Sequence, residues 1–135
     1  MTQAMRMLET HPAQPAKVSS EALTTCIEEC MVCAQACQAC ASACLTESDI
    51  QGLARCIRLD LDCADICEAT ARILTRLTGD GATDVRTVVH ACQLICRSCA
   101  DECQLHADAH QHCEACANAC YRCEQACGAV LDELG

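Results

Sequence analysis

Small and apolar residues recur along most of the chain at steps of three and four positions, the period of a helix with one buried face. The first long segment shows this most clearly, because its inward positions from Cys26 to Cys44 are separated by four, three, four, three and four residues. Such steps mark the positions that face the interior of a helix bundle. No segment shows the period-two alternation of a strand, so we predict an all-α fold.

Capping and turn residues divide this pattern into four helices. The predicted helices cover residues 20–45, 48–78, 83–106 and 109–134. Their expected caps are Ser19 or Ser20 for the first, the capping box Ser48–Gln51 for the second and the capping box Asp108–Gln111 for the fourth. Gly79, Asp80 and Gly81 predict the turn before the third helix. Short connections make neighbouring helices antiparallel, which predicts an up-down-up-down four-helix bundle.

The N-terminal segment differs from the rest of the chain. Residues 1–18 hold both prolines and show little periodicity, so we predict a flexible tail there. Residues 19–135 then form one metal-binding domain, which suits a chain of 135 residues.

The inward face of the predicted helices consists largely of cysteine. All 18 cysteines lie in register with it: Cys26, Cys30, Cys33, Cys37, Cys40, Cys44, Cys56, Cys63, Cys67, Cys92, Cys96, Cys99, Cys103, Cys113, Cys116, Cys120, Cys123 and Cys127. The chain has one aromatic residue, Tyr121, and neither Phe nor Trp. Because aromatic side chains normally supply much of a core's buried area, we predict a cysteine-lined core.

Two ordinary roles of cysteine fit this pattern poorly. Cysteine packs as a small hydrophobe, but Ala, Leu or Val would fill six successive core positions without the liability to oxidation. Disulfides within a helix do not fit, because Cβ atoms four residues apart are about 5–6 Å apart and a disulfide needs about 3.5–4.5 Å. Disulfides between helices remain conceivable, although a reducing cytosol disfavours them. Clusters of this density indicate metal binding.

The spacing and the charge of the thiols favour copper. Eight C-x-x-x-C pairs place two thiols one turn apart, where they can clamp one soft ion. Thiolates select Cu(I), and one Cu(I) for each thiolate leaves the core neutral.

Four thiolates around Zn²⁺ carry two surplus negative charges, which would repel in a dry core. The C-x-x-C pairs lie within continuous helical periodicity, unlike zinc knuckles, and no Cys precedes Pro as in ferredoxins. We expect multiple Cu(I) ions.

The two ends of the cysteine stripe differ. At the end with the predicted turn, the inward positions are apolar: Leu23, Leu74, Val88 and either Val130 or Leu131. At the other end the stripe continues from Cys103 to His106, and its spacing carries on through His110 to Cys113. We predict that these two histidines line the mouth through which copper enters. The alternatives are a favourable charge at a helix C-terminus for His106 and a solvated first turn for His110. We assign no role to His90 and His112.

Asp60 is the one charged residue on the inward stripe, between Cys56 and Cys63. One interpretation is a structural carboxylate that is hydrogen-bonded to an Arg or His. The other is a polar ligand or gate near the mouth. The sequence favours neither, and we include Asp60 among the candidate metal ligands.

Charge and targeting signals limit the partners. The formal net charge is −10, with one lysine and eight arginines, which argues against nucleic acid and anionic membranes. No apolar run is long enough to span a bilayer, and the first 18 residues contain no stretch that could serve as a signal peptide. We therefore expect a cytoplasmic protein.

The C-x-x-x-C series over nearly all of residues 20–134 resembles the bacterial four-helix-bundle copper-storage proteins, and the missing export signal resembles their cytosolic branch. The resemblance implies storage and sequestration of many Cu(I) ions, about one for each cysteine, in a homotetramer with histidines at the mouth. Copper would be exchanged with a chaperone or small thiols. An apolar row beside the second stripe either forms an interface or widens the bundle's own core stripe: Ile50, Leu53, Ile57 and Leu61.

Other functions stay open at this point. A closed thiolate core leaves no room for a substrate, so we do not expect an enzyme. The alternatives to copper storage are an iron–sulfur or zinc-binding helical protein and a thiol redox sensor.

Overall fold

The computed structural model describes residues 1–79 and 82–135, with side chains throughout these ranges except at residues 82 and 83. Every regular element in these ranges is helical. The elements are α1 (Gln3–Glu9), α2 (Ser20–Cys44), the 3₁₀ turn η1 (Ile50–Leu53), α3 (Ala54–Thr75), α4 (Ala82–Leu105) and α5 (Gln111–Leu134). The prediction of an all-α fold is confirmed.

The four long helices form an up-down-up-down bundle. Helix α2 packs against α3 and α5, and α4 packs against the same two helices. Cys30 near the start of α2 shares a sulfur cluster with Cys67 of α3, whereas Cys40 further along α2 shares one with Cys56. Residue numbers therefore rise along α2 as they fall along α3, so these neighbours are antiparallel. None of the helices in the described ranges is both long and apolar enough to cross a membrane.

The first helix of the bundle begins where its cap predicts. The hydroxyl of Ser19 accepts a hydrogen bond from the backbone N–H of Ala22 at 3.1 Å, which satisfies one of the unpaired donors of the first turn. The carboxylate of Glu133 accepts from the backbone N–H of Ser19 at 2.8 Å and from its hydroxyl at 3.1 Å. These bonds hold the start of α2 to the end of α5.

The boundaries predicted for the second helix are wrong. Helix α3 begins at Ala54, after the 3₁₀ turn, and ends at Thr75. The predicted capping box of Ser48 and Gln51 does not cap it, because Leu53 holds the N-cap position without a side-chain hydrogen bond. Of the predicted turn, Gly79 lies in a turn, while Asp80 and Gly81 lie outside the described residues.

The start predicted for the fourth helix, residue 109, is two residues too early. Backbone N–H groups of Ala109 and His110 both donate to the carbonyl of His106, at 3.2 and 2.9 Å. The chain therefore continues to turn after α4, and α5 begins at Gln111 with His110 as its N-cap residue. The predicted box of Asp108 and Gln111 is not formed.

The sequence analysis predicted no regular structure in residues 1–18, but the structure contains helix α1 there. The hydroxyl of Thr2 caps it by accepting from the backbone N–H of Met5 at 3.2 Å. Val18 is buried in the core, and the carbonyl of Gln14 accepts from the backbone N–H of Gly79 at 3.1 Å. These contacts lie at the apolar end of the bundle. The division of the chain at residue 18 stays a prediction.

That end is closed by apolar packing, as predicted, with one correction. Leu23, Leu74 and Val130 are fully buried. The valine of α4 that joins them is Val89 rather than Val88, which is only half-buried. Val89 lies three residues before Cys92 and Val88 lies four before it, and both steps keep a residue near the same helix face. In the packed bundle, Val89 is the one that enters the core.

Candidate metal centre

All 18 cysteines are free thiols in the core of the bundle. None exposes more than 2% of its surface. Helix α2 supplies six, α3 three, α4 four and α5 five, each from the face that packs on its neighbours. The small size of cysteine and the steps of three and four let the four helices bring these sulfurs to one axis.

The sulfurs form a connected network along that axis. The Sγ atom of Cys67 lies 3.4 Å from that of Cys96 and 3.8 Å from those of Cys63, Cys92 and Cys123. A disulfide bond measures about 2.05 Å, so these are contacts between separate thiols. Cys67 of α3 therefore contacts sulfurs of α4 and α5 as well as Cys63 of its own helix.

The C-x-x-x-C pairs are part of this network, but they do not dominate it. In four of the eight pairs the two sulfurs lie 3.8–4.0 Å apart: 33/37, 63/67, 92/96 and 116/120. Contacts between helices are as short or shorter, for example 3.5 Å from Cys37 to Cys120 and from Cys56 to Cys103. The core therefore offers bridging positions in all directions, in addition to the clamps within a helix.

Several groups of four thiols have all four sulfurs within 4.8 Å of one another. One group takes a cysteine from each long helix of the bundle: Cys30, Cys67, Cys92 and Cys123. Another lies near the histidine end: Cys40, Cys44, Cys56 and Cys113. Clustered thiolates are soft ligands that suit Cu(I), zinc and iron–sulfur clusters. Metal binding is therefore the chemistry that this arrangement supports best.

Hydrogen bonds and burial set the acidity of the thiols. Donation from Cys103 and Cys40 lowers the pKa of Cys56, because these bonds stabilise its thiolate. Burial raises the pKa of Cys113 to about 11, because the charged form loses its hydration. Thiols thus divide into donors and acceptors, and a bound cation would replace the protons that they share.

Asp60 is fully buried among thiols. Its Oδ1 atom accepts from Cys99 at 3.2 Å, from Cys116 at 3.3 Å and from Cys103 at 3.5 Å, while Oδ2 lies 3.9 Å from the sulfur of Cys56. Burial raises the pKa of Asp60 to about 8, and the charges of neighbouring thiolates add to the effect. Among the described residues its hydrogen-bond partners are thiols, so the Arg or His partner of the first interpretation is wrong.

His106 and His110 lie at the end of the bundle where α4 ends and α5 begins, and carboxylates hold them. Nε2 of His106 lies 2.8 Å from Glu102. Nδ1 of His110 lies 2.8 Å from Glu47, and Nε2 of His110 lies 3.1 Å from Asp49. The hydrogen bond to Asp49 raises the pKa of His110 and lowers that of Asp49. Both ring nitrogens of His110 thus face carboxylates.

His112, to which the sequence analysis assigned no role, is the histidine that contacts the thiols. Its Nδ1 atom lies 3.4 Å from the sulfur of Cys40 and 3.6 Å from that of Cys113. Counting along the stripe placed it off the inward face. That count assumes a complete helix, but His112 is the second residue of α5, where no preceding turn restricts the ring. Its position directly before Cys113 was the available signal.

Comparison with known proteins relates this arrangement to one family. The model of the family described as copper storage protein matches residues 19–132. A cysteine-rich protein of Bacillus subtilis strain 168, YhjQ, is 39% identical over 102 residues, which cover 76% of this chain and 89% of YhjQ.

Solved structures of copper storage proteins share the fold. Ccsp from Streptomyces lividans, loaded with 10 copper equivalents, is 51% identical with a TM-score of 0.93, and the match covers 96% of this chain and 98% of Ccsp. A second structure of that protein, described as cytosolic and holding five coppers, is 54% identical with a TM-score of 0.81 over 83% and 93% of the two chains. Cu(I)-bound BsCsp3 is 38% identical with a TM-score of 0.70 over 78% and 94%.

Proposed function

The chain belongs to the copper storage protein family, and from this premise we propose that it stores multiple Cu(I) ions on the thiolates of its core, about one ion for each cysteine. The observation that carries the proposal is the set of 18 free, buried thiols, most of which contact other sulfurs along the axis of the bundle. Copper is the cargo of this function. The proposal includes no enzymatic activity.

Charge balance supports a high loading. Each Cu(I) that replaces one thiol proton leaves the net charge of the core unchanged, so successive ions meet no growing repulsion. Zinc in four-thiolate sites would instead add two negative charges at each site. A dry core with many sites therefore favours a monovalent cation.

The spacing of the sulfurs supports the same cargo. With a metal–sulfur distance of about 2.3 Å, as for zinc, three thiolates around one ion lie about 4.0 Å apart and two opposed thiolates about 4.6 Å apart. The network already has sulfur–sulfur distances of 3.4–4.0 Å. Shifts of a few tenths of an ångström to about 1 Å would accommodate the ions, so the helices need not rearrange.

The roles of the other candidate ligands follow from their places. Copper enters at the end that holds His106, His110 and His112, where a ring nitrogen touches the first thiols. Asp60 lies deeper, and its carboxylate acts as an oxygen ligand or as an acceptor for displaced thiol protons. Residues 19–135 form the metal-binding domain, which agrees with the extent of the family match.

The proposal extends to assembly and location. We propose a cytoplasmic homotetramer that exchanges copper with a chaperone or small thiols. Leu61 and Ile50 from the predicted apolar row are 49% and 37% exposed, whereas Leu53 is buried in the bundle's own core. The exposed members support an interface. Sedimentation equilibrium tests the tetramer. A particle mass in solution near 14.4 kDa, the mass of a single chain, would rule it out.

The decisive experiment is an anaerobic titration of the fully reduced protein with Cu(I), followed by ultraviolet thiolate absorbance and by copper that stays with the protein. Saturation near 18 ions for 18 cysteines is expected. Saturation at about four ions would favour tetrahedral zinc-type sites, and visible colour as isolated would favour an iron–sulfur protein. One or two unusually reactive cysteines with little copper bound would favour a redox sensor.

A further inference from the structure

The ring of His112 divides its two nitrogens between different partners. Nδ1 faces the sulfurs of Cys40 and Cys113 at 3.4 and 3.6 Å. Nε2 lies 2.9 Å from Oε2 of Glu47, in the connection between α2 and η1. The ring is three-quarters buried, so these contacts set its orientation.

The carboxylate also determines where the proton of a neutral imidazole resides. A neutral ring carries one N–H and one lone pair, and only the lone pair can bind a metal. A carboxylate accepts a hydrogen bond and donates none when ionised, so it holds the N–H at Nε2. The lone pair of His112 is then on Nδ1, directed at the thiols. In many metal sites, a carboxylate on the ring nitrogen that does not bind the metal orients the histidine ligand and raises its basicity.

Glu47 fixes a second ring at the same time. Its Oε2 atom lies 2.8 Å from Nδ1 of His110, and the rings of His110 and His112 stack with centroids 5.4 Å apart. Asp49 occupies the remaining nitrogen of His110 at 3.1 Å. Of these two stacked rings, only His112 directs a nitrogen toward sulfur. Glu47 thus connects one loop to the start of α5 at the mouth.

We infer that Glu47 is the positioning residue for copper uptake: it holds His112 as the Nε2–H tautomer, with the lone pair of Nδ1 directed at Cys40 and Cys113, so that the first Cu(I) ions pass from imidazole to thiolate. The inference rests on the proposed function, because it assumes uptake at the histidine end. It assigns Glu47 no part in the capacity of the inner core.

The test compares Glu47→Ala and Glu47→Gln with the control Glu29→Gln. Glu29 is a similarly exposed glutamate, paired with Arg122 at 3.3 Å on another part of the surface. Stopped-flow mixing with a chelated Cu(I) donor measures the initial uptake rate. We expect Glu47→Ala to slow uptake about 10- to 100-fold without changing the number of ions at saturation. Glu47→Gln keeps an oxygen acceptor and should recover part of the rate, while Glu29→Gln should match the wild type.

A second measurement is independent of copper. Nitrogen-15 chemical shifts of the His112 ring in copper-free protein should show the Nε2–H tautomer in the wild type and a shift toward Nδ1–H in Glu47→Ala. A wild-type Nδ1–H tautomer, or unchanged uptake in Glu47→Ala, would overturn the inference. Failure of the wild type and Glu29→Gln to load copper would instead count against the proposed function. Circular dichroism confirms that each variant keeps its helices.

Discussion

The thiol of Cys99 donates a hydrogen bond to Oδ1 of Asp60 over 3.2 Å, in the part of the core that the cysteines line. The same oxygen accepts from Cys116 and Cys103. A buried carboxylate without a cationic partner strongly favours its neutral form. The contact therefore joins the acidity of one carboxyl group to the thiols that we propose as copper ligands.

This contact gives a pH-dependent prediction for Asp60→Asn in the copper-free, reduced protein. Burial raises the pKa of Asp60 from 3.8 to about 8, so the folded protein binds this proton more tightly than the unfolded chain does. Unfolding then releases a proton between about pH 4 and pH 8, and the stability of the wild type falls as the pH rises through that window. Asparagine does not titrate, so the variant escapes this loss.

The size of the stability difference between Asp60→Asn and the wild type follows from the pKa shift of Asp60. Each pKa unit corresponds to about 1.4 kcal/mol, so Asp60→Asn should be more stable than the wild type by up to about 5 kcal/mol at pH 8 and nearly equal to it at pH 4. Urea unfolding followed by circular dichroism measures both values. A difference that stays constant between these pH values would contradict the assignment.

Removal of one central thiol should lower the copper capacity. Cys67 contacts four other sulfurs, so Cys67→Ser should remove about one ion at saturation, because a hydroxyl is a poor ligand for Cu(I). The buried hydroxyl should also cost about 1–3 kcal/mol of stability. Protein-bound copper after an anaerobic titration gives the capacity.

Ala117→Ser is the matched control, because it buries a hydroxyl at a fully buried position of α5 without removing a thiol. It should lose stability by a similar amount but keep the wild-type capacity. Equal capacity in Cys67→Ser and the wild type would show that Cys67 binds no copper.

Periodicity was sufficient to predict the bundle and its sulfur core, because steps of three and four report the buried face of a helix directly. All 18 cysteines lie where this pattern places them. The pattern cannot report how residues at the end of a helix are turned by contacts from other segments. His112 is directed to Cys40 by Glu47, which lies 65 residues earlier in the chain.

The same limit explains the errors at the helix ends. The predicted capping box of Ser48 and Gln51 lies beside Glu47 and Asp49, whose carboxylates bind histidines at the distant start of α5 and fix the path of this segment. A capping-box pattern considers only residues three apart, so it could not register these contacts. Helix α1 was missed for a different reason, since its seven residues are too few for a clear period.

The apolar end should contribute stability without contributing copper sites. Leu74 is fully buried there, so Leu74→Ala should destabilise the copper-free protein by about 2–5 kcal/mol. Its copper capacity should equal that of the wild type under conditions where the variant is folded. Leu94→Ala, at a position that is 54% exposed, should change stability by less than about 0.5 kcal/mol. A lower capacity in folded Leu74→Ala would place copper at this end.

The choice between the histidines can be tested by their effect on the rate of uptake. His112 directs Nδ1 toward two thiols, while both nitrogens of His110 face carboxylates. We therefore expect His112→Ala to slow the first phase of Cu(I) uptake about tenfold or more, as for the loss of a positioned ligand, and His110→Ala to slow it less.

His90→Ala, on the exposed side of α4, serves as the control with the wild-type rate. Because thiolates determine the final number of ions, all three variants should reach the same saturation. If His110→Ala is the slower variant, Asp49 and Glu47 must release that ring during uptake, and the sequence-based choice of His110 is the right one.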